Sequence, residues 1–328
     1  MRSPLAHTLA LALALAACSR GADDEGKRRV FSRDGDTGAA AATFDPAHPE
    51  TALALGAGEI ADRLGSFEWT AAVDWTVSRD GEAAAQVRAA ERHRLRQVAT
   101  GEFEVEAEVD PGLGAGSETG KHVVWTGGMT YARARGAPFR ERPTDRGRDA
   151  RRFRDESFGV ARAVAALHGA ALTFEPAGEA TTLGRRALRY RLALAPGAEP
   201  AAAPARTFPG GKPDDDTARR LAFLDGRLPR RAEGELVVDA ETGAPLRVRL
   251  ASTFGVKDAP GVTAEVELLA QVKALGGDVA PVAAPKGALP DERKPPGVAG
   301  ALEAAGLKKP ADEGKPAETA EPGDEESD

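Results

Sequence analysis

The sequence predicts a mainly β domain with some α: a strongly curved antiparallel sheet, a half-barrel of about eight or nine strands, capped by one to three helices. Three observations predict it. Between about residues 49 and 276, apolar residues recur at every second position, the period of strands with one buried and one wet face. Turn signals such as Asp80-Gly81 separate these runs. Only a few stretches switch to helical spacing, and a one-sided sheet needs such helices, or its own curvature, to cover its apolar face.

Taken in order, Pro49 to Leu64 is expected to be a helix, because Leu53, Ala57, Ile60 and Leu64 fall on one face. From Phe67 to Val77 every odd position is apolar (Phe67, Trp69, Ala71, Val73, Trp75, Val77), which predicts a strand ending at Asp80-Gly81. The return strand, about Ala85 to Val98, carries Arg88, Arg92, Arg94 and Arg96 on one face. Glu102 to Asp110 alternates Phe103, Val105, Ala107 and Val109 with glutamates, and this acidic row is expected to lie opposite the basic one. After a Gly-rich turn over 111–120, His122 to Arg135 is expected to be one strand, with Val123, Trp125, Met129 and Tyr131 on one face. Gly127-Gly128 within it is expected to form a bulge or sharp bend.

The period then changes: Phe153, Ser157, Val160, Val164 and Leu167 predict one amphipathic helix over about Asp145 to His168, ended by Gly169. Strands follow at Leu172 to Glu175 and Glu179 to Leu194, the second with Leu188, Tyr190, Leu192 and Leu194 opposite Arg189 and Arg191. A short helical stretch near 216–224 precedes the last three strands, Glu233 to Asp239, Leu246 to Phe254 and Val262 to Ala274. About 220 residues in such a body bury roughly 70 to 75% of their unfolded surface, so it can be stable without disulfides.

The flanks differ in composition. Residues 18–48 form a Gly/Ala/Asp-rich tether with few bulky apolar residues, and 280–328 an acidic, Pro/Ala-rich tail expected to be disordered. The stretch 196–216 is expected to be a loop inserted in the 49–279 domain. At the N-terminus an early Arg2, an apolar run from Leu5 to Ala17 and small residues before Cys18 are the parts of a secretion signal over 1–17. That run is too short to span a bilayer as a helix. Leu15-Ala16-Ala17-Cys18 resembles the lipobox of bacterial lipoproteins, which implies cleavage before Cys18 and lipid on that cysteine, the single one in the chain. By the same resemblance, Ser19 after Cys18 points to the outer membrane. Anchoring by acyl chains follows from the free energy of each buried CH₂.

Chemistry-bearing motifs were sought and not found. There is no HExxH, no G-x-S-x-G and no zinc spacing of Cys and His. Gly116 to His122 lacks the glycine spacing and the Ser/Thr after Lys of a P-loop, and is expected to be a hairpin loop. The net charge of -7 argues against nucleic acid as a partner of the whole chain. No catalytic residue, cofactor or metal is therefore expected. Two features remain: the large aromatics of the apolar strand faces, and residues 133–162, which hold ten arginines against five acids in an acidic protein. The arginines are read either as a solvated helix face or as a patch that meets anionic lipid or an acidic partner.

The N-terminal helix, the long alternating strands from Phe67, the mid-chain helix and the string Gly234-Glu235-Leu236-Val237-Val238-Asp239 with Thr242-Gly243-Ala244-Pro245 together resemble the LolA/LolB/LppX group of periplasmic lipoprotein carriers and lipid binders. The resemblance covers about residues 49–276. It implies a half-barrel that holds acyl chains in an apolar gap, and no catalysis. By side-chain direction the lining would come from Trp69, Trp75, Phe103, Val105, Trp125, Met129 and Tyr131 in the early strands and from Val160 and Val164 in the mid-chain helix. The late strands would add Leu188, Tyr190, Leu192, Val248, Leu250, Val266 and Leu268. The function expected is that of a membrane-anchored envelope lipoprotein that binds or carries a lipid or an acyl chain. The alternative is a docking lipoprotein with a filled core that binds a protein partner through the 133–162 region.

Overall fold

The computed structural model describes residues 44–80, 86–197, 221, 223–257 and 259–291. Cys18 and the expected signal before it, most of the stretch 196–216 expected to be a loop, and the expected tail beyond 291 lie outside the described residues. Among those described, eleven strands form one antiparallel, unclosed sheet. They are β1 (Phe67–Arg79), β2 (Val87–Gln97), β3 (Phe103–Asp110), β4 (Thr119–Thr126), β5 (Met129–Ala134), β6 (Arg140–Glu141), β7 (Leu172–Thr182), β8 (Arg185–Leu194), β9 (Arg227–Asp239), β10 (Pro245–Val256) and β11 (Val262–Leu275). The helices are α1 (Ala57–Leu64), α2 (Arg148–Phe158) and α3 (Val160–Ala166).

The order across the sheet is β6-β5-β4-β3-β2-β1-β11-β10-β9-β8-β7. Two up-and-down meanders, β1 to β6 and β7 to β11, are thus joined where β1 pairs with β11, from Phe67 opposite Leu275 to Arg79 opposite Val262. The alternation of β1 holds as expected, with Phe67, Trp69, Ala71, Val73, Trp75 and Val77 all buried. These side chains define the inner face.

On the outer face the charges pair across strands. Arg92, Arg94 and Arg96 stand opposite Glu108, Glu106 and Glu104, the expected match of the basic and acidic rows. Arg96 reaches both Glu68 (3.0 Å) and Glu104 (3.2 Å), and Arg189 and Arg247 share Glu235 at 2.7 and 2.5 Å. Each exposed pair adds little stability, about 0 to 1 kcal/mol. A one-residue slip would turn every charge inward, so the pattern fixes register.

The strand count exceeds the eight or nine expected, and the reason is turn chemistry. Gly127-Gly128 is not a bulge but a two-residue turn: both glycines take positive φ (56° and 75°), and Thr126 pairs with Met129. The expected strand over 122–135 is therefore the hairpin β4–β5, and the short β6 adds a further edge strand. The opposite exchange occurs later. The break expected between residues 175 and 179 is a bulge within β7, while the true turn lies at Leu183-Gly184. Leu183 there has φ 51°, a conformation that costs a side-chain-bearing residue roughly 1 to 2 kcal/mol, so its sequence gives no turn signal.

Both expected helices are broken. A 3₁₀ turn, Pro49–Ala54, precedes α1, with Gly56 between them, and Gly159 separates α2 from α3. The ends of the body also move. Phe44 packs against the core and the Tyr190 hydroxyl donates to the Pro46 carbonyl (3.2 Å), so the last tether residues are docked. After β11, Val279 and Val282 are buried and Leu289 bridges to Arg140, so the compact unit of described residues continues to Pro290.

The string that carries the family resemblance is a turn lock. Asp239, 1% exposed, accepts from Arg185 Nε (2.5 Å), Thr242 N (2.8 Å) and Thr242 Oγ1 (2.7 Å). Gly234 is needed because a Cβ there would press into the Arg249 carbonyl of the neighbouring strand.

Two predictions follow from these turns. Leu183→Asn, which suits the left-handed position before Gly184, should stabilise the chain by about 1 kcal/mol in urea unfolding. Burial pushes the Asp239 carboxyl up, but the hydrogen bonds from Arg185 and Thr242 outweigh it and hold the group below the usual carboxylate range. A lowered folded value means stability that is present above the unfolded pKa of about 3.9 and is lost as pH falls through the folded value. Asp239→Asn should therefore cost about 1 to 3 kcal/mol at pH 7, and the gap should narrow in melts below the ordinary carboxylate range.

Candidate functional site

The inner face is where the residues expected to line a binding space come together. Trp69, Trp75, Phe103, Val105, Val248, Leu250, Val266 and Leu268 all belong to it and are at most 4% exposed. Tyr190 and Leu192 continue it on β8, and Val160 and Val164 face it from α3. Trp125 and Leu188 are half-buried against the same core. Met129 and Tyr131 do not join them. In a two-residue hairpin an odd residue pairs with an even one, so Trp125 shares its face with Thr130, while Met129 and Tyr131 share theirs with Thr126 and Val124. Both therefore lie on the outer face, a correction that follows from the Gly127-Gly128 turn.

One end of this face is closed by α2. Phe158 sits against Trp69 (5.0 Å between centroids) and Phe67 (6.1 Å). Arg154 is buried, lies 5.0 Å over the Phe103 ring and donates to Gln97 Oε1 (3.2 Å) and Asp155 Oδ1 (2.9 Å). Trp125 lies so close to Gly147 that a Cβ there would be 3.1 Å from its ring, and Arg151 stands 5.7 Å from it. Thr130 Oγ1 donates to Asp145 (2.6 Å), whose other oxygen receives the Asp149 N–H (2.6 Å) and starts α2.

The other end holds polar groups without partners. Glu91 and His93 of β2 project onto the inner face, opposite Val73 and Ala71 of β1. Glu91 is 1% and His93 7% exposed. Their closest approach, His93 Nε2 to Glu91 Oε2, is 3.5 Å and makes no hydrogen bond, so that oxygen and both ring nitrogens have no partner. Trp75 Nε1, diagonal to Glu91 across the β1–β2 pair, and Ser252 Oγ, on the far side of Val266, are likewise buried and unpartnered. His168 adds a further lone Nε2 beside the Phe254 ring (4.9 Å). Burial holds this imidazole below its ordinary pKa, so it is neutral at neutral pH. A buried polar atom with no partner costs about 1 to 3 kcal/mol, and such atoms are few in native proteins.

Glu91, His93 and Ser252 belong to no recognisable motif, and His93 reads from the sequence as an ordinary strand residue, although a signal for their direction is present. If Arg88, Arg92, Arg94 and Arg96 face water, then Glu91, His93 and Gln97, of odd number, must face inward.

On the outer face His122 lies 2.8 Å from Glu104 and 3.1 Å from Arg133 Nη2, beside a cavity of about 100 Å³ that includes Glu106, Lys121 and Arg135. The His122 hydrogen bond holds Glu104 below the usual carboxylate range. These groups satisfy one another. In the arginine-rich region, Arg146, Arg148, Arg151, Arg152 and Arg162 are exposed. Gly116 to His122 runs from the β3–β4 connection into β4 and precedes no helix, so it forms no phosphate loop.

No protein-family model matches the chain, and no curated protein matches it. Solved structures to which it is similar include a DUF1329 family protein from Desulfovibrio piger, at 9% identity and TM-score 0.22, covering 72% of this chain and 96% of that one. A LolA superfamily protein from Nitrosomonas europaea shows 8% identity and TM-score 0.18 over 69% and 97% of the two chains. An outer membrane lipoprotein-sorting protein domain from Vibrio parahaemolyticus shows 10% identity and TM-score 0.20 over 70% and 96%. At TM-scores this low, the likeness fixes neither the fold nor the function of this chain.

The unpartnered pair makes a testable statement about stability. The double variant Glu91→Leu with His93→Leu should unfold at or above the native denaturant midpoint, because two apolar groups replace a buried polar pair.

Proposed function

We propose that the inner face binds the apolar part of a lipid or acylated molecule, and that the chain does so as an envelope lipoprotein tethered through Cys18. The observation that carries this is one of area. Roughly 110 strand residues, at ~3.3 Å rise and ~4.8 Å spacing, give each face of the sheet roughly 1,700 Å². The helices, of 8, 11 and 7 residues, amount to roughly 40 Å of cylinder about 10 Å wide, enough for about a quarter of that.

Yet the inner face is apolar and buried from Tyr190 on β8 to Phe103 on β3. In the proposed arrangement the sheet curves so that its two wings face each other, and the gap between them takes an acyl chain. Unpartnered polar atoms within that face favour an interior that receives a guest. The proposed activity is binding, with no bond made or broken. The string Leu15-Ala16-Ala17-Cys18 supports the anchor, and the envelope location is proposed with it.

A second reading rests on the exposed arginines at α2. Arg148 is 84% and Arg152 67% exposed in their side chains. This cluster suits contact with an anionic membrane surface or an acidic protein.

Full-length chain purified from membranes should yield extractable lipid by mass spectrometry and should bind a fluorescent long-chain acyl probe. Trp125→Ala, at the rim of the inner face, should weaken probe binding several-fold, while Tyr131→Ala, on the outer face, should leave it unchanged. A natively folded chain with neither lipid nor probe binding would leave only the docking reading.

A further inference from the structure

We infer that Glu91, His93, Trp75 and Ser252 form a subsite for the uncharged, hydroxyl-bearing end of a long-chain apolar molecule. This deepens the proposed reading and rests on it, since it assigns the polar end of a guest whose chain occupies the rest of the face.

The chemistry of the unpartnered atoms selects the group. Trp75 Nε1 can only donate, whereas an ionised Glu91 Oε2 can only accept. One hydroxyl both donates and accepts, so it can satisfy the two together, with His93 as a further partner of either kind and Ser252 Oγ, across β11, the polar group next met along the guest. Charge narrows the choice.

Among the described residues no Lys or Arg stands opposite or diagonal to Glu91 on this face. By register the nearest cations are Lys121, exposed two strands from His93 with its ammonium 4.4 Å from the Phe153 ring, and Arg79, four residues beyond Trp75. Arg227 is spent on the carbonyls of Leu167 and Leu224, and Arg154 on Gln97 at the opposite end. A phosphate or carboxylate head would thus meet the Glu91 carboxyl with no lysine or arginine beside it.

Position completes the case. The groups span β2, β1, β11 and β10, roughly 14 Å across at ~4.8 Å per strand, and Val73, Val266 and Leu268 lie among them. A hydroxyl on an apolar chain brings its own hydrocarbon for the intervening valines and leucine.

The test uses full-length chain and three guests that share one hydrocarbon: oleyl alcohol, which donates and accepts, oleyl methyl ether, which only accepts, and 1-octadecene, which does neither. The alcohol should bind about tenfold or more tightly than the other two, as expected for a hydrogen bond to a charged acceptor. Of the three indole N–H resonances in the chain, the one lost in Trp75→Phe should move on loading with the alcohol. Glu91→Leu should bring the alcohol down to the level of the ether. Trp75→Phe, which removes only the donor, should have the same sense of effect, and urea melts check that both variants fold. Equal binding of all three guests with a still Trp75 resonance would mean that the polar set holds water only; the subsite would fall and the apolar binding face would stand. Binding of none would overturn the apolar face itself.

Discussion

The pairing of β1 with β11 is the constraint on which the rest of the structure depends. Phe67 and Leu275 are opposite one another across almost the whole body of the chain, and thirteen β1 residues find partners there. Closing a loop of some 200 residues costs about 5 kcal/mol in chain entropy beyond a constant. Burying Trp69, Val73, Trp75, Val266 and Leu268 at that seam returns about 1.5 to 3 kcal/mol for each. The seam is favourable because its side chains are large and apolar on one face. Without it there are two meanders, each with an uncovered inner face. With it, a single face runs from β6 to β7, and the segment carrying α2 and α3, between those two edge strands in the chain, can close part of that face.

A sheet of this kind is governed by parity. Once β1 commits its odd residues inward, cross-strand pairing passes the choice to every neighbour. On β2 it sends Arg92, Arg94 and Arg96 out to meet Glu108, Glu106 and Glu104, and the same rule sends Glu91, His93 and Gln97 in. The outer pairs add little to stability, yet they oppose any slip that would bury them. Gln97 has its partner in Arg154. Glu91 Oε2 and the His93 ring approach each other to 3.5 Å and make no hydrogen bond. Gln97 differs from these neighbours in having Arg154 of α2 packed over it.

Much of the fold was legible because this parity is written in the sequence. Phe67 to Val77, Phe103 to Val109 and Val262 to Val272 alternate cleanly, and their strands and faces are as expected. What failed was the punctuation. Gly127-Gly128 can bend a strand or reverse it, and the choice depends on whether Thr126 and Met129 find each other across a hairpin, which is a tertiary event. That one choice moved Met129 and Tyr131 to the other face. Leu183 gave no signal, because a bulky residue with positive φ is a strained exception held by the β7–β8 ladder around it. The helix breaks at Gly56 and Gly159 interrupt segments whose apolar spacing is otherwise continuous. The polar end of the inner face could have been read from Arg88 to Arg96, but the conspicuous charges draw attention to the wet side of the strand.

The unsatisfied set then has a thermodynamic meaning. Folded domains are stable by about 5 to 15 kcal/mol. Five buried unpartnered atoms at Glu91, His93, Trp75 and Ser252, at about 1 to 3 kcal/mol each, would consume a large share of that margin. The four side chains come from three strands whose other inner residues are almost all apolar, and an apolar residue at each position would remove the cost. Under the proposed function, a guest that binds only the folded chain adds stability in proportion to the logarithm of its concentration over Kd, and the penalty of the empty state would be relieved on loading. The groups that weaken the empty chain are then the ones that distinguish a polar-ended guest from bare hydrocarbon. An apolar wall cannot make that distinction, because every alkyl chain looks alike to it, whereas a hydrogen-bonding group left unpaired against the wrong guest makes the distinction steep.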